Sequence, residues 1–301
     1  MRSHSVLIRR VVEDAVVRAH PDQVDVHVGV KLARPPVLSP SFGAPVPLPR
    51  WRSPPLVPSA PVSLLLLSNS SSPGRPYLAH ARGWIADALG SARRVAFVPY
   101  AAVTFPYDDY ADRVRAALDG LGLELTGVHT SPDPADAVRQ ADAVLVGGGN
   151  TFALLRACYA HGLVDAVRER VAGGAPYVGW SAGANLACPT VRTTNDMPVV
   201  EPPSLDALGL VPVQINPHYT DAHPDGHQGE TRAQRLAEFV AANPGVPVVG
   251  LPEGTAVRVD GGRAELLGEG RPVVFDATSP KGRPAAAGEA EHLFTTGPER
   301  T

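Results

Sequence analysis

The segment that decides the fold class of this chain is Tyr177-Val178-Gly179-Trp180-Ser181-Ala182-Gly183-Ala184-Asn185. Its first residues are apolar, as in a buried strand, and its last residues favour a helix. The five central residues match G-x-S-x-G, a tight strand-to-helix turn that holds its serine in a strained conformation. The helix that follows offers free backbone N–H groups and the positive end of its dipole, which favours Ser181 as a nucleophile. An ordinary turn lined by small residues is the alternative interpretation.

Short apolar runs alternate with helical patterns on both sides of this turn. The predicted strands are Ser63–Leu67, Arg94–Val98, Glu124–Val128, Ala143–Val146, Tyr177–Trp180, Val211–Gln214 and Val246–Gly250. Nearly all-apolar strands that alternate with helices predict an α/β fold, with a mainly parallel sheet covered by helices on both faces. Short antiparallel strands are expected after about residue 256, around the turn Asp260-Gly261-Gly262.

Composition divides the chain into three parts. Residues 1–61 are rich in proline, which the core of a sheet or helix does not accept. We expect them to form a disordered arm, or to lie upstream of a true translation start near residue 62. A catalytic domain is predicted over residues 62–277 and a polar tail over 278–301.

Charge and hydropathy exclude several classes of protein. The 301 residues carry a net charge of −3 and show no stripe of Lys or Arg, so we expect no nucleic-acid partner. No apolar run approaches the roughly 18 residues that a membrane helix needs, and charged residues interrupt the N-terminal apolar stretches where a signal peptide would lie. Only Cys158 and Cys188 occur, which predicts two reduced thiols in a cytoplasmic protein.

A second glycine cluster, Gly147-Gly148-Gly149-Asn150, follows the predicted strand Ala143–Val146. It lacks the lysine of a P-loop and the spacing of a dinucleotide-binding turn, so phosphate binding is not predicted. We expect backbone N–H groups at Gly148, Gly149 and Ala182 to form an oxyanion hole. A purely structural turn is the alternative.

His218 is the predicted general base, because it follows the predicted strand Val211–Gln214 and α/β active sites form at strand ends. A metal site made of His218, His223 and His227 is the alternative. Pro224 and Gly226 interrupt the helical spacing that such a site would use, so no metal is predicted.

Two carboxylates compete for the role of orienting the histidine. Glu253 follows the predicted strand Val246–Gly250, so Ser181, His218 and Glu253 would each follow a separate strand. Asp196 satisfies the Ser-Asp-His order of α/β-hydrolases, but it lies too close to Ser181 in the chain for the strands that fold inserts there. We therefore favour Glu253; Asp196 remains open, with pocket shaping or substrate contact as its other role.

Several long motifs in this sequence are those of a known family. They are Leu64-Leu65-Leu66-Leu67-Ser68-Asn69-Ser70, Val146-Gly147-Gly148-Gly149-Asn150-Thr151-Phe152, the serine turn, Arg192-Thr193-Thr194-Asn195-Asp196-Met197-Pro198, Gln214-Ile215-Asn216-Pro217-His218, Gly229-Glu230-Thr231-Arg232 and Gly250-Leu251-Pro252-Glu253-Gly254. With these motifs, residues 62–277 resemble the peptidase E family of aspartyl dipeptidases.

The resemblance implies a fold like that of class I glutamine amidotransferases, with serine in place of their cysteine. It implies a serine-type dipeptidase, without metal or cofactor, that hydrolyses dipeptides with an N-terminal aspartate (Asp-X), and it suggests a homodimer. Ser181 and His218 match the nucleophile and base of the family. An aspartyl side chain requires a cation, for which Arg192 and Arg232 are the candidates. A cyanophycinase-like peptidase, a glutamine amidotransferase and a non-catalytic binding protein are the rival interpretations.

Overall fold

A computed structural model of the protein describes residues 62–222, 225–226 and 228–296. The proline-rich segment 1–61 lies outside the described residues. The strands are β1 (Ser63–Leu67), β2 (Arg94–Val98), β3 (Glu124–Gly127), β4 (Ala143–Val146), β5 (Tyr177–Trp180), β6 (Gln214–Tyr219), β7 (Val248–Pro252), β8 (Ala256–Asp260), β9 (Arg263–Leu267), β10 (Val273–Asp276) and β11 (Ser279–Pro284).

Eight helices are described: α1 (Arg82–Leu89), α2 (Tyr107–Ala117), α3 (Pro134–Gln140), α4 (Thr151–Ala160), α5 (Leu163–Ala172), α6 (Ala182–Ala187), α7 (Arg232–Ala242) and α8 (Glu289–Thr296). Side-chain caps fix where several of them begin. Asn150 accepts a hydrogen bond from Ala153 N at the start of α4, and Thr231 forms a capping box with Gln234 at the start of α7. None of the helices in the described part of the chain is long and apolar enough to cross a membrane.

The main sheet has seven strands in the order β3-β2-β4-β5-β1-β8-β9. The first five run parallel, and β8 and β9 form an antiparallel hairpin beside β1. Successive residues of β1 face opposite sides: Leu64 and Leu66 belong to one apolar cluster, Leu65 and Leu67 to another. Both faces of the sheet are therefore buried, which confirms the predicted α/β class and explains why its strands are continuous apolar runs.

The second sheet has four strands in the order β11-β10-β7-β6, and here two predicted strands were misplaced. The prediction Val211–Gln214 ends where β6 (Gln214–Tyr219) begins, so His218 lies within a strand rather than after one. β6 contains Pro217, a residue that argues against a central strand but is tolerated because β6 is at the sheet edge. β7 likewise begins two residues later than predicted, at Val248.

The segment after residue 278, predicted as a polar tail, contains β11 and α8 in the structure. β11 pairs with β10, and the side chain of Phe294 in α8 is buried in the main core. Arg283 of β11 forms ion pairs with Asp276 of β10 and with Glu289 of α8, which join the three elements. The apolar residues that the segment packs on the core are few (Ala285, Leu293 and Phe294), so its sequence resembles that of a tail.

Candidate active site

Ser181 lies at the junction of β5 and α6 with backbone angles φ 52° and ψ −110°. Its backbone N–H donates to Leu67 O (3.0 Å), which anchors the turn to β1. A Cβ at Gly179 would lie 2.5 Å from Gly183 O, and one at Gly183 would lie 2.3 Å from Val146 O. Only glycine therefore fits two residues before and two residues after the serine. This close packing maintains the strained backbone conformation of Ser181.

His218 joins Ser181 to Glu253. Its Nε2 lies 3.0 Å from Ser181 Oγ and its Nδ1 lies 2.7 Å from Glu253 Oε1. A carboxylate can only accept, so Nδ1 carries the proton and Nε2 is left to accept from the serine hydroxyl. Ser181 and His218 both line a cleft of about 340 Å³. This chain of contacts is the arrangement in which an imidazole activates a hydroxyl nucleophile.

The backbone of His218 is held from three sides. Its φ of 54° falls in a bulge of β6, where the pairing with β7 shifts register. Its N–H donates to the buried Ser68 Oγ (2.8 Å), which in turn donates to Leu251 O in β7 (2.9 Å). Arg232 Nη1 donates to the carbonyls of Pro217 and His218. These contacts turn the imidazole out of the strand and towards Ser181.

Glu253 directly follows β7, and a second residue at the end of β1 fixes its turn. Asn69 Oδ1 accepts from Gly254 N (2.8 Å), and Asn69 Nδ2 donates to Ser71 O (2.6 Å). Sequence reasoning missed the roles of Ser68 and Asn69. The available signal was two polar residues that directly follow an apolar parallel strand, at the sheet edge where Ser181 also lies.

Asp196 does not contact His218. Its Oδ2 accepts from Thr151 N (2.8 Å), from Thr151 Oγ1 (2.6 Å) and from Thr194 Oγ1 (3.1 Å). The carboxylate thus binds the first turn of α4, where the helix dipole favours a negative charge. Of the two candidate acids, the structure brings Glu253 to the histidine and leaves Asp196 as a helix-capping group beside the glycine loop.

Side chains from α6 and from the loop that follows it cover the free edge of β6. Asn185 Nδ2 and Thr193 Oγ1 both donate to Ile215 O (2.7 Å each). Asn195 Nδ2 donates to Pro217 O (2.8 Å). Side chains therefore satisfy strand carbonyls that would otherwise face an absent neighbouring strand.

The glycine loop approaches Ser181 closely. A Cβ at Gly148 would lie 3.1 Å from Ser181 Cβ, and Gly149 has φ 134°, with Ala101 O only 2.3 Å from where its Cβ would stand. Tyr110 Oη donates to Gly148 O (3.0 Å) and accepts from Trp180 Nε1 (3.0 Å). Burial raises the pKa of Tyr110 well above its ordinary value, so the hydroxyl stays protonated and remains a donor to the Gly148 carbonyl.

The two candidate arginines lie in different environments. Arg232 is half-buried beside His218, and burial, with Arg235 nearby, lowers the pKa of its guanidinium. Arg192 is exposed, and neither arginine belongs to the lining of the cleft that contains Ser181. Of the histidines in the alternative metal site, His223 and His227 lie outside the described residues. Within the described residues, no three His, Cys, Asp or Glu side chains cluster as metal ligands.

Neither cysteine takes part in the site. Cys158 in α4 and Cys188 after α6 are free and buried, and burial raises the pKa of each thiol to about 12. Thiols with such pKa values are unreactive at neutral pH.

Comparison with known proteins identifies the family. The model of "Peptidase family S51" matches residues 64–267, a range that contains Ser181, His218 and Glu253. The chain is 49% identical over 233 residues to Peptidase E of Shigella flexneri serotype 5b and 50% identical to that of Salmonella newport, covering 77% of this chain and 100% of each relative. The crystal structure of a peptidase from an acI-B1 actinobacterium shares the fold, with a TM-score of 0.55, 19% identity, and coverage of 76% of this chain and 95% of that one. The chain belongs to peptidase family S51.

Proposed function

We propose that this chain is a serine-type dipeptidase that hydrolyses Asp-X dipeptides through an acyl-enzyme on Ser181. The observation that carries the proposal is the continuous contact from Glu253 through His218 to Ser181, at 2.7 and 3.0 Å. The 49–50% identity to proteins named Peptidase E, along their whole length, supports the choice of substrate class. These relatives do not favour a cyanophycinase-like peptidase, a glutamine amidotransferase or a non-catalytic binding protein.

The reaction begins when His218 Nε2 takes the proton of Ser181 Oγ, which attacks the carbonyl carbon of the aspartyl residue. Glu253 stabilises the imidazolium that forms and keeps the ring oriented. The tetrahedral intermediate collapses as His218 protonates the leaving amine of residue X. Water, deprotonated by His218, then attacks the aspartyl ester, releasing aspartate and restoring the Ser181 hydroxyl.

Backbone N–H groups of the glycine loop and of Ala182 stabilise the oxyanion in this proposal. The donors of the glycine loop are the N–H groups of Gly148 and Gly149. The N–H group of Ala182 lies at the N-terminus of α6. Each such donor typically contributes about 10²–10³ in rate. The Tyr110 hydroxyl supports this role, because it binds Gly148 O and fixes the peptide plane between the two glycines.

Arg232 is our candidate for the cation that binds the aspartyl side chain. It lies beside the general base, and no ion pair among the described residues includes it. One guanidinium nitrogen donates to backbone carbonyls, which fixes the group and leaves its other N–H donors for a carboxylate. Arg192 is the weaker candidate, because it is exposed and its side chain makes no hydrogen bond to the segment of the general base in the described part of the chain.

Hydrolysis of Asp-Leu by the purified protein tests the proposal, with and without EDTA, beside Ser181→Ala and a Glu-Leu control. We expect chelator-resistant release of leucine from Asp-Leu, little from Glu-Leu, and loss of activity in the variant. Activity that survives Ser181→Ala would remove the serine mechanism. Equal cleavage of Glu-Leu would remove the aspartyl specificity.

We further propose a cytoplasmic homodimer that acts on small peptides. Light scattering coupled to size exclusion tests the dimer, for which a molecular mass of one chain is the contradicting result. Fractionation of the cells that produce the protein tests the compartment.

A further inference from the structure

Arg113 is the arginine in the lining of the cleft that contains the nucleophile, and the proposed mechanism does not use it. It lies on α2, is exposed, and lines the same cleft as Ser181 and His218. Its guanidinium carbon stands 5.1 Å from the centroid of the Phe105 ring and 5.8 Å from that of the Tyr77 ring. Both rings also line the cleft, so cation–π contacts hold the charge at this position.

Arg113 has no counter-charge within the described part of the chain. None of the ion pairs found there includes it. Its neighbour on the same helix, Arg115, differs: it pairs with Asp112 and donates to Leu125 O. The planar fork of Arg113 is therefore held by aromatic rings and retains its N–H donors for an anion that enters the cleft.

The proposed substrate supplies such an anion. An Asp-X dipeptide carries two carboxylates, one on the aspartyl side chain and one at its C-terminus. If Arg232 binds the side-chain carboxylate, the C-terminal carboxylate still needs a cation of its own. That cation must lie within the length of one residue from the scissile bond. The cleft, at about 340 Å³, is near the lower end of the roughly 300–1,000 Å³ typical of small-ligand sites, which suits a short peptide.

We infer that Arg113 is a specificity-determining residue that binds the C-terminal carboxylate of the dipeptide. The inference rests on the proposed function and extends it from the first residue of the substrate to the second. A longer peptide presents an uncharged amide where the dipeptide presents a carboxylate. It therefore forfeits the charge-assisted hydrogen bonds to Arg113, and the site selects dipeptides over longer chains.

The contact has a characteristic kinetic signature. It lies away from the bond that breaks, so it is equally strong in the ground state and in the transition state. Loss of the contact therefore raises KM and leaves kcat nearly unchanged. The expected loss in kcat/KM is about 10- to 100-fold, as for a hydrogen bond to a charged group.

The test compares Asp-Leu with Asp-Leu amide, which lacks only the C-terminal charge. Wild type is expected to prefer the acid by about 10- to 100-fold in kcat/KM. Arg113→Gln is expected to cleave both peptides at the rate at which wild type cleaves the amide, and Arg113→Lys to recover part of the preference. Arg156→Gln is the matched control, since Arg156 is an exposed arginine on α4 that does not line this cleft.

Each result bears on the inference. A preference for the acid that persists in Arg113→Gln would overturn the inference. An equal loss of kcat/KM on both peptides would also overturn it, because the contact would then involve another part of the substrate. If folded wild type cleaves neither peptide, the proposed function fails together with the inference. If wild type cleaves Asp-Leu through Ser181 and Arg113→Gln matches Arg156→Gln, the inference alone fails.

Discussion

Removing the Ser68 hydroxyl is the sharpest test of how the fold holds its histidine. This hydroxyl is fully buried, accepts from His218 N at 2.8 Å and donates to Leu251 O at 2.9 Å. It thus joins the end of β1 to the bulge of β6 and to β7. Ser68→Ala keeps the fold of β1 but leaves the half-buried N–H of His218 and the buried carbonyl of Leu251 without this partner.

The magnitude follows from those two bonds. A buried backbone group that loses its partner costs about 1–3 kcal/mol, so we expect Ser68→Ala to lower the free energy of unfolding by about 2 kcal/mol. For a domain of this size that corresponds to a fall in Tm of about 4–8 °C. We also expect kcat to fall by about 10- to 100-fold, because an Å-scale displacement of His218 misaligns it with Ser181.

The assay combines thermal unfolding with steady-state hydrolysis of Asp-Leu, and uses Ser131→Ala as the control. Ser131 is half-buried, and its hydroxyl bonds only to the backbone of Asp133 in the same turn, so its loss leaves Tm and kcat near wild type. A fluorophosphonate probe counts the active serines and separates a slow enzyme from a partly unfolded one. Wild-type kcat in Ser68→Ala, or a Tm change below about 1 °C, would refute the positioning argument.

Three further predictions concern other parts of the site and core. Glu253→Gln is expected to lower kcat by about 10²–10⁴ and to leave Tm unchanged. Asp196→Asn is expected to lower Tm, because the first turn of α4 loses its negative charge, and to affect kcat less. Steady-state kinetics and calorimetry on both variants distinguish the two roles, and the reverse pattern would contradict them. Gly149→Ala yields little active protein, because the new Cβ meets a backbone oxygen and φ is positive; wild-type activity and Tm would contradict this. Cys158 and Cys188 have raised folded pKa values, so their contribution to stability is present below pH 9 and is lost as the pH rises towards about 12; urea unfolding across that range checks it, and a flat profile would contradict it.

Most of the main sheet could be predicted because its strands are buried on both faces. The bounds of β1, β2, β4 and β5 agree with the predicted ranges, since fully buried parallel strands are apolar runs with sharp ends. β6 could not be predicted in the same way. It pairs with β7 on one side only, and the side chains of Gln214 and Asn216 and the carbonyl of Pro217 bond to loop residues on the other side.

The candidate site likewise contains residues that the sequence predicts and residues that it does not. Ser181, His218 and Glu253 were predictable because each occurs near the carboxyl end of a different strand. The contact between Ser68 and His218 joins residues 150 positions apart, and no local pattern encodes it. The position of Arg113 depends on how α2 packs beside the glycine loop, which spacing along a helix does not specify.

The covered edge of β6 also affects which molecules can dock beside the nucleophile. Extended polypeptides commonly bind by adding a strand to an exposed sheet edge, through repeated main-chain hydrogen bonds. Here a bulge interrupts the strand, Pro217 lacks an N–H, and side chains already occupy the carbonyls of Ile215 and Pro217. The edge therefore offers no template for a long chain, neither for a protein threaded towards Ser181 nor for a second copy that would associate edge to edge.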